Sequence, residues 1–160
     1  MDTITQTITE YACTSAFEHL TEEAVHAAEQ RLIDSLGCAV GAHDCEPAQI
    51  GRRLTRGQTP GKYSGRVLYL GDRPPVESAT FINTSMIRNF DFNDRYPGGH
   101  PSDCLGALLA LAGAMDIEGK RFLASMIVAY GVFARWSDAT TLSRRGAAVP
   151  GLTLILTVDR

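Results

Sequence analysis

The chain of 160 residues has no Cys-x-x-Cys pair, no cluster of lysines and arginines, no internal repeat and no low-complexity tract. Each absence removes a class of function. The cysteines at 13, 38, 45 and 104 form neither a metal-ligand spacing nor a dense disulfide framework, so they read as reduced thiols. With no basic cluster and a formal net charge of -3, the chain lacks the electrostatic footprint that nucleic acid or an anionic membrane requires. The first 30 residues contain no lysine or arginine and no continuous apolar core, which is read as the absence of a secretory signal. The longest apolar run near the end, Ala147 to Thr157, is interrupted by Pro150-Gly151 and is too short to span a bilayer. The expectation is a cytoplasmic protein whose partners are small molecules or other proteins.

What is present points to an all-α helical bundle. Hydrophobic residues make up 44% and charged residues 21%, ordinary globular usage for a chain long enough to bury one core. Apolar spacing predicts a helix over Thr5 to Leu20. Thr21, followed by Glu22 and Glu23, predicts an N-cap for a second helix, on which Val25, Ala28, Leu32, Leu36, Ala39 and Val40 share a face. Small residues crowd its second half around Gly37 and Gly41, predicting close approach by another element. Asp34 on the same helix reads as a structural polar contact rather than a catalytic acid. Glu46-Pro47 opens a third helix that Gly57 ends. Its Arg52, Arg53 and Arg56 read as a solvated face rather than a phosphate site. Gly57 to Tyr63 resembles a phosphate loop only superficially, since one residue is missing between the glycines and no serine or threonine follows Lys62. Arg66 to Leu70 is predicted to be extended. Val76 to Arg88 is predicted helical, Asp103 to Met115 is apolar nearly all round, and a further buried helix opens at Gly119-Lys120 and ends near Arg135.

The densest polar cluster lies between these last helices, from Asn89 to Asp103. Pro97-Gly98-Gly99 cannot continue a helix, so the cluster occupies a loop. Ser102 stands where an N-cap is expected, which would place the His100 imidazole just outside a helix start with free amides. Phe90 and Phe92 alternate with Asn89, Asp91 and Asn93, so their rings are expected to turn inward and hold the polar side chains in a fixed array. Tyr96 adds a partly buried donor. Taken alone, the same residues also describe a well-capped surface loop.

Asp91-Phe92-Asn93-Asp94 followed by His100-Pro101-Ser102-Asp103 resembles the signature of the MmgE/PrpD family, which includes 2-methylcitrate dehydratase and cis-aconitate decarboxylase. The likeness extends to the leucine, aspartate and two-glycine pattern of the second helix, to Asn83, and to Gly131, Arg135, Asp138 and Arg144-Arg145-Gly146. It covers residues 5 to 146, so that residues 1-146 read as an incomplete N-terminal helical domain and 147-160 as a divergent tail left by truncation or a frameshift.

The resemblance implies a lyase that eliminates water or carbon dioxide from a tricarboxylate-like substrate, with no metal and no organic cofactor. His100 and Asp91 are the catalytic candidates. His100 would provide acid-base function, since an unperturbed imidazole titrates at about pH 6.5, and Asp91 would orient a neighbour or bind a hydroxyl. Arg95, Asp94 and Tyr96 are the substrate-binding candidates. Many family members have threonine at the Arg95 position, but an arginine can grip a carboxylate bidentately. The resemblance further implies that histidines and lysines from later in the chain complete the site, so this segment alone is expected to have little activity. A polycarboxylate substrate and a homodimer are the expected partners, with neither nucleic acid nor membrane. The alternatives are a noncatalytic helical interaction module and a metal-dependent hydrolase built on Asp91, Asp94 and His100.

Overall fold

A computed structural model describes residues 2–140. The tail read as divergent and the Arg144-Arg145-Gly146 part of the likeness lie outside the described residues. Within them the chain is all-α: six α-helices and two 3-10 turns, with isolated bridges but no β-strand.

Helix α4 (Val76–Arg88) is the axis of the molecule. It packs against α5 (Leu105–Met115), α3 (Glu46–Thr55) and α2 (Glu22–Gly41), and its Ala79, Ile82, Met86 and Ile87 are fully buried. Helix α6 (Gly119–Thr140) closes the other side, contributing Phe122, Met126 and Ala129 to the same core. The start of α2 follows from sequence, because Thr21 Oγ1 accepts the Ala24 amide at 3.2 Å. Gly57 ends the α3 region with φ +79, the left-handed conformation for which glycine has no steric penalty.

Several expectations are corrected. The first helix, α1, spans only Thr3–Thr14; Ser15 and Ala16 are extended, and Phe17–His19 forms a separate 3-10 turn. The hydroxyls of Thr14 and Ser15 bond back to the carbonyls of Glu10 and Tyr11, a local competition that bends and ends helices. The break lets the Phe17 ring meet Lys120 of α6, whose ammonium lies 5.3 Å from the ring centroid. Arg66 to Leu70 forms no strand. Two backbone bonds, Gly65 to Pro74 and Val67 to Asp72, shape it as a tight loop with Tyr69 at φ +64. In place of a neighbouring strand it has the buried side chain of Asn83, whose Oδ1 accepts from Leu68 N–H at 2.9 Å and whose Nδ2 donates to the Arg66 carbonyl at 3.0 Å. Helix α5 begins two residues later than predicted, after a 3-10 turn over Pro101–Cys104. Helix α6 continues five residues past Arg135, where Ser137 and Asp138 find partners in the polar loop.

The predicted close approach at the small-residue half of α2 is only half right. A Cβ at Gly41 would come within 3.0 Å of the Phe90 ring, but one at Gly37 would meet nothing within 4 Å. The tightest helix contact is elsewhere. At Gly106 of α5, an added Cβ would lie 2.7 Å from the backbone nitrogen of Thr84 and 3.0 Å from the carbonyl of Thr80. Gly106→Ala is therefore expected to lower the unfolding free energy by about 2 kcal/mol or more, as overpacking against rigid backbone does. Gly37→Ala should instead raise it by about 0.5–1 kcal/mol, since only helix propensity changes there. Urea unfolding of both variants checks the pair.

Candidate active site

The polar loop is assembled around a side chain that the sequence reading passed over. Arg88, the last residue of α4, directs its guanidinium at three groups of the loop. Its Nη2 lies 2.8 Å from Asp91 Oδ1, its Nε 2.9 Å from Asp103 Oδ1, and its Nη1 donates to Asn93 Oδ1 at 2.9 Å. The Asp103 contact is an ion pair without hydrogen-bond alignment, since that oxygen has no hydrogen-bond partner among the described residues. Asn93 is buried and passes the connection on, donating from Nδ2 to Ser102 Oγ. One guanidinium thus ties together both ends of a loop about a dozen residues long. The turn that returns the chain places Asp91 at φ +57, a left-handed conformation that aspartate tolerates better than most residues.

His100 is held by the same loop. Its ring is 18% exposed, and Nδ1 lies 2.6 Å from the carbonyl oxygen of Asp94. A carbonyl only accepts, so Nδ1 carries the hydrogen and Nε2 is the free nitrogen of the neutral ring. Nε2 lies 3.5 Å from Asp91 Oδ1, the oxygen that Arg88 also engages. Asp94 braces this arrangement twice, because its side-chain Oδ1 also accepts the Ser102 amide at 3.1 Å. This corrects the expected cap. Ser102 does not cap a helix; its own amide is taken by the Asp94 carboxylate, and the Asp103 amide by the His100 carbonyl at 3.0 Å, so the amides beside the imidazole are not free.

Behind the loop the surroundings are apolar. Burial pushes the Asp103 carboxyl above its ordinary value, while Arg88 and His100 pull it down. Burial likewise raises the Cys104 thiol and the Tyr130 phenol, and the nearby Asp94 carboxylate adds to both shifts, so each stays protonated. Asp94 Oδ2 and the Tyr130 hydroxyl are buried without a hydrogen-bond partner among the described residues.

The remaining candidates separate from this cluster. The Tyr96 hydroxyl donates to Asp138 Oδ2 of α6 at 2.9 Å, and its ring meets Phe133 edge-on. With the Ser137 hydroxyl donating to the Pro97 carbonyl and the two Tyr96–Gly99 backbone bonds, it fastens the Pro97-Gly98 turn to α6. Arg95 is exposed and has no ion pair among the described residues. Phe90 and Phe92 do not turn inward: they are 41% and 69% exposed and stack on each other, centroids 5.1 Å apart. The array is fixed by Arg88 and Asn93, not by aromatic anchors. Asp34 is exposed on α2. Among the described residues, no group of three or more His, Cys, Asp or Glu side chains is placed to hold a metal ion. No described helix is long and apolar enough to cross a membrane.

The MmgE/PrpD N-terminal domain matches residues 6–157, a span that runs into the last residues of the chain. The 2-methylcitrate dehydratase-like protein oryR of Aspergillus oryzae is 34% identical over 128 residues, covering 66% of this chain and 25% of that protein. The chain thus spans about a quarter of the length of the curated relative it matches. No solved structure matches it.

Removing the cation at the centre of the loop has a defined pH signature. Arg88→Gln leaves the mostly buried Asp103 carboxylate without its counter-ion and is expected to cost about 2 kcal/mol or more at neutral pH. A buried acid whose folded pKa is raised binds its proton more tightly folded than unfolded, so it lowers stability as pH rises from the ordinary carboxylate value through the raised one. Loss of Arg88 raises that pKa further. The deficit of the variant should therefore be complete above the raised pKa and shrink as pH falls through it, as urea unfolding from pH 7 to pH 4 would record.

Proposed function

Because the chain belongs to the MmgE/PrpD family, we propose that the His100 loop is part of an active site that eliminates water from a polycarboxylate. The observation that carries this reading is that Nδ1 is fixed on the Asp94 carbonyl, which leaves Nε2 to accept a proton at a position 3.5 Å from Asp91 Oδ1. Dehydration breaks a C–H bond alpha to a carboxylate and a C–O bond on the adjacent carbon, forms C=C between them, and releases the hydroxyl as water. His100 Nε2, with its lone pair free, accepts the carbon-bound proton; the Asp91 carboxylate then stabilises the imidazolium. Arg95 is the cation near the loop that is free of an acidic partner among the described residues, and its guanidinium receives a substrate carboxylate. Asp94 positions His100 rather than touching substrate, and Tyr96 positions the Pro97-Gly98 turn. The proton for the leaving hydroxyl comes, on this reading, from the later part of the family's sequence. A cytoplasmic location and independence from cofactors belong to the same reading.

A second reading is favoured by the apolar side chains that face solvent: Ile33, Val40, Phe81, and the Phe90–Phe92 stack. Of these, Phe90 and Phe92 are in contact, and a homodimer that covers such exposed side chains fits a helical interaction module as well as an enzyme. Sedimentation of the chain as a monomer across the micromolar range would remove it.

Titration of the 160-residue chain with citrate or 2-methylcitrate, followed by the ring proton and nitrogen signals of His100, tests the first reading. Saturable shifts at His100 are expected, and Arg95→Gln should weaken binding by about tenfold, the equivalent of one charge-assisted contact. Where the chain supports turnover, His100→Gln is expected to lower kcat by roughly 100- to 10,000-fold. His100 signals unmoved by either polycarboxylate would contradict it.

A further inference from the structure

The chain carries no basic cluster in sequence, yet its fold builds one. A cavity of about 570 Å³ is lined by Arg52, Arg53 and Arg56 from the end of α3 and by Arg73 from the loop that leads into α4. Asp72 is the one acid in its wall, so the cavity holds a formal charge of +3 in a chain whose net charge is -3. Gln49, Thr55 and Gln58 supply neutral polar groups between the arginines. The sequence reading of a merely solvated face took in three of these arginines and lacked the fourth, which arrives from a separate element.

The ordinary explanation for arginines at a helix C-terminus is the macrodipole, and it accounts for Arg52 and Arg53. Arg52 is also spoken for, donating to the His43 carbonyl at 2.8 Å with Asp44 3.7 Å away. It does not account for Arg73, which belongs to no helix. Arg56 follows the last residue of α3 in a non-helical conformation and lines the same cavity, adding a further cation beside Arg53. Among the described residues, no carboxylate lies within 4.0 Å of the guanidinium of Arg53, Arg56 or Arg73. Three exposed cations gathered around one cavity, with no carboxylate of the described residues within 4.0 Å of any of them, give it a positive potential that an anion would neutralise.

We propose that this cavity binds a small, multiply charged anion, held by the forks of Arg53, Arg56 and Arg73. Guanidinium geometry suits phosphate and carboxylate oxygens equally, so the shared chemistry is two or more anionic oxygens on one compact molecule. The volume lies within the range of small-ligand sites. The cavity lies at the N-terminal end of α4 and the His100 loop at its C-terminal end, separated by roughly 20 Å at 1.5 Å per helical residue. It is therefore a second site, independent of the proposed lyase reading.

The test uses the 160-residue chain at low ionic strength, following the Nε–Hε signals of its arginines while inorganic pyrophosphate and, separately, citrate are added. Saturable shifts at Arg53, Arg56 and Arg73 with either anion support the proposal. Pyrophosphate alone assigns the phosphate class, citrate alone the polycarboxylate class, and both together recognition by charge. The Arg53→Gln/Arg56→Gln double variant should bind at least tenfold more weakly. Asp72→Asn, which removes the one acid in the wall, should bind severalfold more tightly, a gain that a structural role for these arginines would not produce. Binding to the double variant as tight as to the parent, absence of saturable shifts at these arginines from both anions, or shifts confined to His100 and Arg95 would overturn it.

Discussion

The guanidinium of Arg88 is the contact on which the site depends. A polar loop lying over an apolar core cannot rely on burial of its own side chains, and the two phenylalanines that might have anchored it face outward instead. What remains is charge. Placed at the end of α4 and anchored by the rigid core beneath, Arg88 reaches Asp91 near the start of the loop, Asn93 just beyond, and Asp103 at its end. Three partners converging on one planar cation define a geometry more sharply than three separate pairs would, because displacing any one of them strains the others. The orientation of His100 follows from this, since the Asp94 carbonyl that fixes its ring belongs to the strap that Arg88 holds.

Much of the fold was legible because its signals are local. The N-cap at Thr21, the proline near the start of α3 and the apolar spacing of α4, α5 and α6 each declare a helix within a few residues of where it forms. The losses came where a partner distant in sequence decides the outcome. The segment Arg66 to Leu70 reads as extended from composition, but the backbone of Arg66 and Leu68 is satisfied by the Asn83 side chain, which periodicity cannot pair with it. Ser102 has the chemistry of a cap, but it lies inside a 3-10 turn, and its own amide is bonded by Asp94, eight residues earlier. Phe90 and Phe92 alternate as inward rings would, yet both are largely exposed and stack on each other, with Phe90 lying against Gly41 at the end of α2.

The site was legible to the same degree. His100 and Asp91 lie close together, and Asp94 holds His100 through its backbone carbonyl while its carboxylate accepts the Ser102 amide. Tyr96 and Arg95 share the loop without sharing its centre: one is spent on Asp138, the other stands free in solvent. Arg88 was overlooked because nothing in a sequence distinguishes an arginine at a helix end that serves the dipole from one that gathers a loop, and Asn93, though part of the signature, carried no sign of its bond to that arginine. The arginine-lined cavity escaped for a related reason, since Arg73 reaches it from 17 residues beyond Arg56. Arginines at opposite ends of α4 thus do opposite things: Arg88 is engaged by two acids and an amide and builds structure, while Arg53, Arg56 and Arg73 line a cavity.

Amide hydrogen exchange across residues 91–104 is the most direct measurement of the central claim, that Arg88 organises the loop. In the parent chain the Ser102 amide, bonded to Asp94, and the Asp103 amide, bonded to the His100 carbonyl, should be protected. In Arg88→Gln that protection should fall by at least about tenfold, while the amides in the middle of α2 and α6 keep theirs. Equal protection in the two proteins, or a Ser102 amide that exchanges freely in the parent, would contradict the account.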